Sequence, residues 1–505
     1  MRMTDLQRCE LRPGRLVEWT LHPAAVGAAH ALPDDARPPA YVQESHLRTA
    51  RWVRRGGLHV PSWLGTVFDL PGPVDLDALH TALRDWTRRH ETLRSGFRWR
   101  GDEVRRFTLD AASVALRRTE VGRFRETAAL SRYLQDRFDT VADALTWPNF
   151  IFTAIVRADG ATLCMAFDHS NVDSYSIQRI PAEIHELYAA ALQGRTVPVA
   201  PVASYVDFCA SERTDADRAD PTHPVVARWR EFIGRCGGRL PGFPVDLGLG
   251  PAAPAALPGL SHPSAGPAPG DPSPTDPASA SGPWPRPRLP AQKLLHEMVA
   301  DDADAAAFEA YCRPHGGSLV GVLAAVALIT RELSGLRVYR TVVPFHTRVR
   351  SRWADSMGWY VGGAPIEVPV GQAAGFDDAL RMVRAALREA RPLARMPVAR
   401  VLPLLGADFR PTSPDLYSIV SYVDARAVAG SERWQEQKAY GLIRVSYGDQ
   451  VCAWVTRLHE GLQFACRYPD TPVAYANMRL VVERLRERVV ETARAAAATT
   501  QGVRV

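Results

Sequence analysis

The chain has 505 residues, 46% hydrophobic and 23% charged, with a formal net charge of +6 and a pI near 9.0. A chain of this size and balance buries a large core and has length for about two to four domains, which excludes a disordered polypeptide or a small disulfide-built scaffold. The positive charge is arginine spread along the chain, with no lysine–arginine block and no zinc-finger spacing; this sets nucleic acid aside and favours an acidic partner surface or a phosphate-bearing cofactor.

The seven cysteines are odd in number and scattered, without a C-x-x-C. Reduced thiols in a cytoplasmic protein are therefore expected rather than a disulfide framework or a zinc site. The N-terminal stretch MRMTDLQRCELRPGRL has no apolar core of a secretory signal. The longest apolar run, Leu319–Thr330, is too short to span a membrane and reads as a buried helix.

In chain order, residues 1–40 are polar, with a strand expected over Arg15–Leu21. Tyr41–Val53 reads as a helix and Leu64–Leu70 as a strand. Asp75 is placed to cap a helix whose apolar face carries Leu76, Leu79, Leu83 and Trp86 and which ends in Arg88, Arg89 and His90, cations where the helix dipole favours them. Val114–Val121 and Asn149–Arg157 read as strands, the second turning at Ala158-Asp159-Gly160 into Thr162–Phe167, a hairpin by its turn chemistry. Helices follow over Ile184–Leu192, Ser204–Arg213 and Ala227–Arg235.

From Pro251 to Pro290 the composition changes to Pro, Ala, Ser and Gly, roughly a third of it proline. Such a segment cannot bury a core and is expected to link two halves, 1–250 and 291–505. The second half opens with an expected strand, Lys293–Val299, a helix over Asp301–Tyr311, a second helix over Leu319–Leu333 capped by Ser318, and a strand over Val338–Phe345. Ile443–Arg457 and Leu462–Tyr468 read as a hairpin turning at Glu460-Gly461, and Met478–Ala496 as a closing amphipathic helix.

The chemistry is concentrated in LCMAFDHSNVDSYSI, Leu163–Ile177. The apolar run Leu163–Phe167 reads as a buried strand that breaks into Asp168, His169, Ser170, Asn171, Val172 and Asp173. A histidine just past a strand end can project into a cleft and accept a proton near neutral pH, and an aspartate four residues on can fix the turn that presents it. The H-x-x-x-D spacing recurs at His30 and Asp34, in a polar, proline-rich stretch read as a surface loop, so context rather than spacing selects His169 and Asp173. Cys164, within the apolar strand, is expected to be a core thiol rather than a nucleophile. Trp359, Trp434 and Trp454 are likewise expected in the core.

The stretch resembles the HHxxxDG motif of the condensation-domain superfamily, which includes nonribosomal peptide condensation domains, chloramphenicol acetyltransferase-like enzymes and polyketide-associated acyltransferases. Asp168 stands at the first His, His169 at the second and catalytic one, Asp173 at the motif Asp, and Ser174 at the Gly. Three further stretches resemble family segments in the same order. RHETLRSGF, Arg89–Phe97, is similar to RHExLRTxF, and Met357–Ile366 to G-x-F-x-N-x-x-P. Tyr417–Arg426, followed by Trp434, resembles the FSYxD region of the polyketide-associated acyltransferases, the nearest subgroup.

The resemblance implies an α/β (α+β) fold of two chloramphenicol-acetyltransferase-like lobes with mixed sheets flanked by helices and a tunnel between them. It implies transfer of an acyl group from a thioester to a hydroxyl or amine in lipid or natural-product biosynthesis, with no covalent acyl-enzyme and no metal. His169 would be the general base. Asp173 would hold the loop by pairing with an arginine, Arg348 or else Arg350. Backbone N–H groups, Ser170 or Ser174 would bind the oxyanion, and Asp168 would tune the site, lie solvated in the loop or mark its decay. Ser446, Tyr447 and Gly448 would shape the tunnel or simply turn the chain. The donor would be acyl-CoA or a phosphopantetheinyl carrier protein, with no tightly bound cofactor, and the protein a monomer acting on a small-molecule acceptor. The alternative is a catalytically silent docking protein for a carrier or partner enzyme, favoured by Asp168 and Ser174 as retention of His169 and Asp173 favours the enzyme.

Overall fold

The computed structural model describes residues 1–195, 202–250, 289–411 and 418–502. All but the last two residues of the expected linker 251–290 lie outside them, as does Tyr417. Two mixed sheets organise the chain, each with helices against it, as expected of a condensation-type α/β fold. The first has seven strands in the spatial order Arg2–Thr4, Tyr440–Ile443, Trp63–Pro71, Gly160–Asp168, Phe150–Arg157, Arg15–Leu21 and Leu116–Arg123. The second has six, in the order Val361–Val368, Tyr339–His346, Ile419–Asp424, Cys452–Leu458, Gly461–Pro469 and Gln292–Asp301.

The expected hairpin is the centre of the first sheet. Phe150–Arg157 pairs antiparallel with Gly160–Asp168, which pairs on its other side with Trp63–Pro71, Asp168 opposite Trp63. Every residue of Gly160–Asp168 is buried, which explains a near-continuous apolar run where an exposed face would have produced alternation. Two helices cover this sheet, Leu76–Arg89 and Ser174–Leu192, with Leu79, Leu83, Trp86, Ile177, Ile180 and Ile184 in the shared core. The RHETLR stretch joins them: His90 Nε2 and Trp86 Nε1 both lie on Glu183 Oε2, at 2.8 and 2.9 Å. In the second half, the helix Ser318–Ser334 is buried along nearly its whole length between the sheet and Phe376–Ala390.

Three local expectations are corrected. The polar N-terminal stretch holds a helix, Pro23–His30, started by a proline at its first turn and by the His22 ring, which accepts from Ala24 N–H; His30 is therefore its last residue, packed on Phe107, not a loop residue. Ser318 does not cap its helix. Gly317 does, after Gly316, both at positive φ (92° and 112°), a reversal that glycine makes without the Cβ clash. Ile443–Arg457 is two strands in different sheets: Ile443 ends Tyr440–Ile443 in the first, and Cys452 begins the strand in the second. The segment between is held by Arg444 on Asp139 and by Ser446 Oγ on Pro61 O, 2.9 Å. As a result the C-terminal half lends one strand to the N-terminal sheet, across the expected division at 251–290.

Candidate active site

The turn after Gly160–Asp168 is built by two carboxylate caps in six residues. Asp168 accepts from Ser170 N–H (2.9 Å), starting a short 3-10 turn, His169–Asn171. Asp173 accepts from Ser176 N–H (2.8 Å) and starts the helix Ser174–Leu192. Between the caps His169 is fixed in one orientation. Its Nδ1–H donates to Val172 O at 2.9 Å, which leaves Nε2 as the proton-free nitrogen. Its ring stacks on Trp359, with centroids 3.9 Å apart and planes 25° apart. Burial, with the neighbouring charge of His46, pushes the imidazole down to about 4, so it is uncharged at neutral pH.

Asp173 faces the other half of the chain. Arg348 binds it through both guanidinium arms, at 2.5 and 3.0 Å, and Tyr360 N–H adds a third donor at 3.1 Å. Arg348 also donates to Ser176 Oγ (2.9 Å) and lies over the Tyr360 ring. Arg350 is exposed, so of the two arginines read from the sequence Arg348 is the partner. Burial alone would raise the Asp173 carboxyl, but the Arg348 charge and hydrogen bonds outweigh it and hold it below the usual carboxylate range. An anion so fully occupied by donors supports the loop and is no proton carrier.

Asp168 is not a solvated loop residue. It is fully buried, and His46 Nε2 lies 3.1 and 3.2 Å from its two oxygens, with Ser62 Oγ at 3.3 Å. Burial would raise its carboxyl too, but the His46 charge and hydrogen bond prevail and lower it. Ser170 is also fully buried, its hydroxyl taken by Asn149 Nδ2 (3.2 Å) and its carbonyl by Gln43 Nε2 (2.7 Å). Both groups are thus taken up within the turn's own support. Ser174 Oγ, partly exposed on the first helical turn, accepts from Gln178 Nε2 at 3.2 Å. Cys164 is buried and burial raises its thiol well above the ordinary range, so it stays protonated.

His46 and Ser62, the partners of Asp168, also line a cleft of about 130 Å³ whose other walls include Asp143 from the first half and Tyr447 and Arg467 from the second; no residue of the turn from Asp168 to Asp173 lines it. His46, Gln43, Ser62 and Trp359 were not marked as site residues in the sequence. Gln43 and His46, one turn apart in an amphipathic helix, carry only the faint signal of two polar groups on one helix edge, and Trp359 reads as any core aromatic.

Residues 62–221 match the family model described as Condensation domain. The chain is 28% identical over 98% of its length, and 98% of the relative's, to trehalose-2-sulfate acyltransferase PapA2 of Mycobacterium tuberculosis. It is 26% identical to acyltransferase PapA3 of the same organism, over 95% of this chain and 94% of that one. A solved PapA2 acyl transferase structure superposes with a TM-score of 0.83 at 26% identity, covering 98% of this chain and all of that one. The first condensation domain of the calcium-dependent antibiotic synthetase shares the fold, with a TM-score of 0.62 at 16% identity over 91% of this chain and 98% of that domain.

Proposed function

We propose that this chain, similar to acyltransferases of the condensation-domain type, moves an acyl group from a thioester to a sugar hydroxyl with His169 as the general base. The observation that carries this reading is the His169 ring itself: Nδ1–H is committed to Val172 O, and Nε2 is bare, neutral and without a hydrogen-bond partner among the described residues. Nε2 takes the proton of the acceptor hydroxyl as its oxygen attacks the thioester carbonyl. The tetrahedral intermediate collapses, the carbon–sulfur bond breaks, and the leaving thiolate takes the proton from Nε2. Ester and free thiol are released, and the imidazole returns to its starting form. Asp173 and Arg348 hold the loop against the second half and take no proton.

A sugar acceptor is favoured over an amine because PapA2, similar to this chain over 98% of its length, is named for trehalose 2-sulfate. The donor is acyl-CoA or an acyl carrier protein, either of which brings the thioester. The odd number and scattered spacing of the cysteines suit a cytoplasmic setting. The test is a panel of acyl-CoA and acyl-carrier donors against mono- and disaccharides and amines, with products identified by mass. An acyl ester of a saccharide is the expected product. Amides alone would replace the acceptor class, and no acylated product from any pair would contradict the reading.

A further inference from the structure

The sequence motif accounts for His169 and Asp173 but leaves Asp168 without a purpose. Its surroundings supply one. A carboxylate with no exposure is stable as an anion only with a cation or several donors on it. His46 is that cation, 3.1 and 3.2 Å from the two oxygens, with Ser62 Oγ and Ser170 N–H completing the shell. His46 comes from the helix Tyr41–Arg55, which also sends Gln43 to Ser170 O. One helix face thus grips the turn on both sides of His169. The two histidines share a neighbour as well: Trp359 stacks on His169 and meets the His46 ring edge-on, with centroids 5.6 Å apart and planes at 84°.

We propose that His46 is a positioning residue for the acyl transfer: as the cation of a buried pair with Asp168, and through Trp359, it fixes the plane of the His169 ring and holds that ring in its proton-accepting form. The role applies to the His169 chemistry proposed above. Burial lowers the His46 imidazole, but the Asp168 charge and hydrogen bond raise it by more. His169 lacks such a carboxylate bond and is pushed down by burial and then by the His46 charge. His46 therefore keeps its proton to higher pH than His169 does, so above about pH 4 there is a range in which the proton of the two rings rests on His46.

The other charged groups nearby are engaged in pairs. Asp143, which also raises His46, is bound by Arg54 and by His59 at 3.0 Å. Arg348 and Asp173 bind each other on the other side of the turn, and Arg467 stands on the cleft wall within 3.4 Å of Cys452 Sγ.

The test is an NMR titration of the full chain with isotope-labelled histidine and no substrate, the two rings assigned from His46→Gln and His169→Gln. In the wild type His169 titrates well below neutral pH. In His46→Gln its midpoint moves to higher pH by about tenfold in proton concentration, the size expected of one charge removed at close range in a protein interior. The acid limb of kcat/KM moves with it. An unchanged His169 midpoint overturns the proposal. If His46→Gln does not fold, Asp168→Asn is titrated instead: the His46 midpoint falls if the pair exists, and an unmoved His46 midpoint overturns it. Because the titration needs no turnover, a wild-type protein inactive on every donor would contradict the acyl-transfer reading while leaving this measurement intact.

Discussion

At the scale of single residues, the site separates two aspartates five positions apart by what each touches. Asp173 is saturated by Arg348, Ser176 and Tyr360, and it joins the halves of the chain. Removing it in Asp173→Ala leaves the buried Arg348 guanidinium without its anion, which costs about 3–5 kcal/mol for a buried pair broken on one side. Chemical denaturation of the purified variant reads this directly, and a loss under 1 kcal/mol, the range of exposed pairs, would contradict the assignment. For His169 the sign of the pH dependence follows from burial and His46. In the role proposed for His169 the base form is the neutral ring, so kcat/KM is expected to hold as pH falls from neutrality and to decline only as it passes through about 4, far below an unperturbed histidine. A decline centred near pH 6.5, the ordinary histidine value, would mean that the ring is solvated and unshifted. The experiment is a kcat/KM profile on a donor whose thioester survives the acid range.

At the scale of elements, the segment after Trp353 closes the site from the second half. Ser176 Oγ donates to Gly358 O (3.0 Å), and Trp359 O accepts from Tyr205 Oη (2.9 Å). A Cβ on Gly358 would sit 2.3 Å from the Tyr205 ring, which is itself fully buried against Tyr360 and Phe208. Gly358→Ala is expected to lose about 1–3 kcal/mol as an overpacked core position does, and to lose activity with it as Trp359 shifts from His169. Full stability and full activity would show that the ring yields freely.

This element also shows where sequence reading stops. Elements that carry their own signal were legible: Asp75 before an apolar face, Asp-Gly between two strands, an apolar run cut by Asp-His. Arg15–Leu21 runs between the ends read for it. Asp173 as the residue that fixes the turn was legible as well, whereas the cap made by Asp168 was not. What was hidden is contact between distant segments. No period or turn residue announces that Trp359 stacks on His169, or that His46 lies on Asp168, 122 positions away. Ile443–Arg457 was read through its own break: the polar, glycine-bearing stretch Ser446–Gln450 interrupts it where the chain leaves one sheet for the other.

At the scale of the molecule, the two halves are bound by more than a shared cleft. Strand Tyr440–Ile443 lies between Arg2–Thr4 and Trp63–Pro71, and without it the N-terminal sheet presents the edge of Trp63–Pro71 to solvent. Residues 1–250 expressed alone are therefore expected to aggregate, since an uncovered, mostly apolar edge is a template for pairing. Expressed together with 289–505, they are expected to copurify as a complex. A soluble 1–250 fragment with its own cooperative thermal transition would show that the borrowed strand is dispensable. The turn that presents His169 likewise has a frame drawn from both halves, with Asp173 on Arg348 and His169 on Trp359.

Whether His169 moves the proton in acyl transfer is measured most directly by comparing wild type with His169→Ala on one donor–acceptor pair, following the acylated product by mass. A kcat lower by about 10²- to 10⁴-fold is expected, the usual contribution of a positioned general base. The variant's thermal transition and acceptor KM should stay close to wild type, because the ring is only partly buried and Asp168 and Asp173 keep their caps. Equal turnover by the folded variant would contradict that expectation and remove His169 as the base.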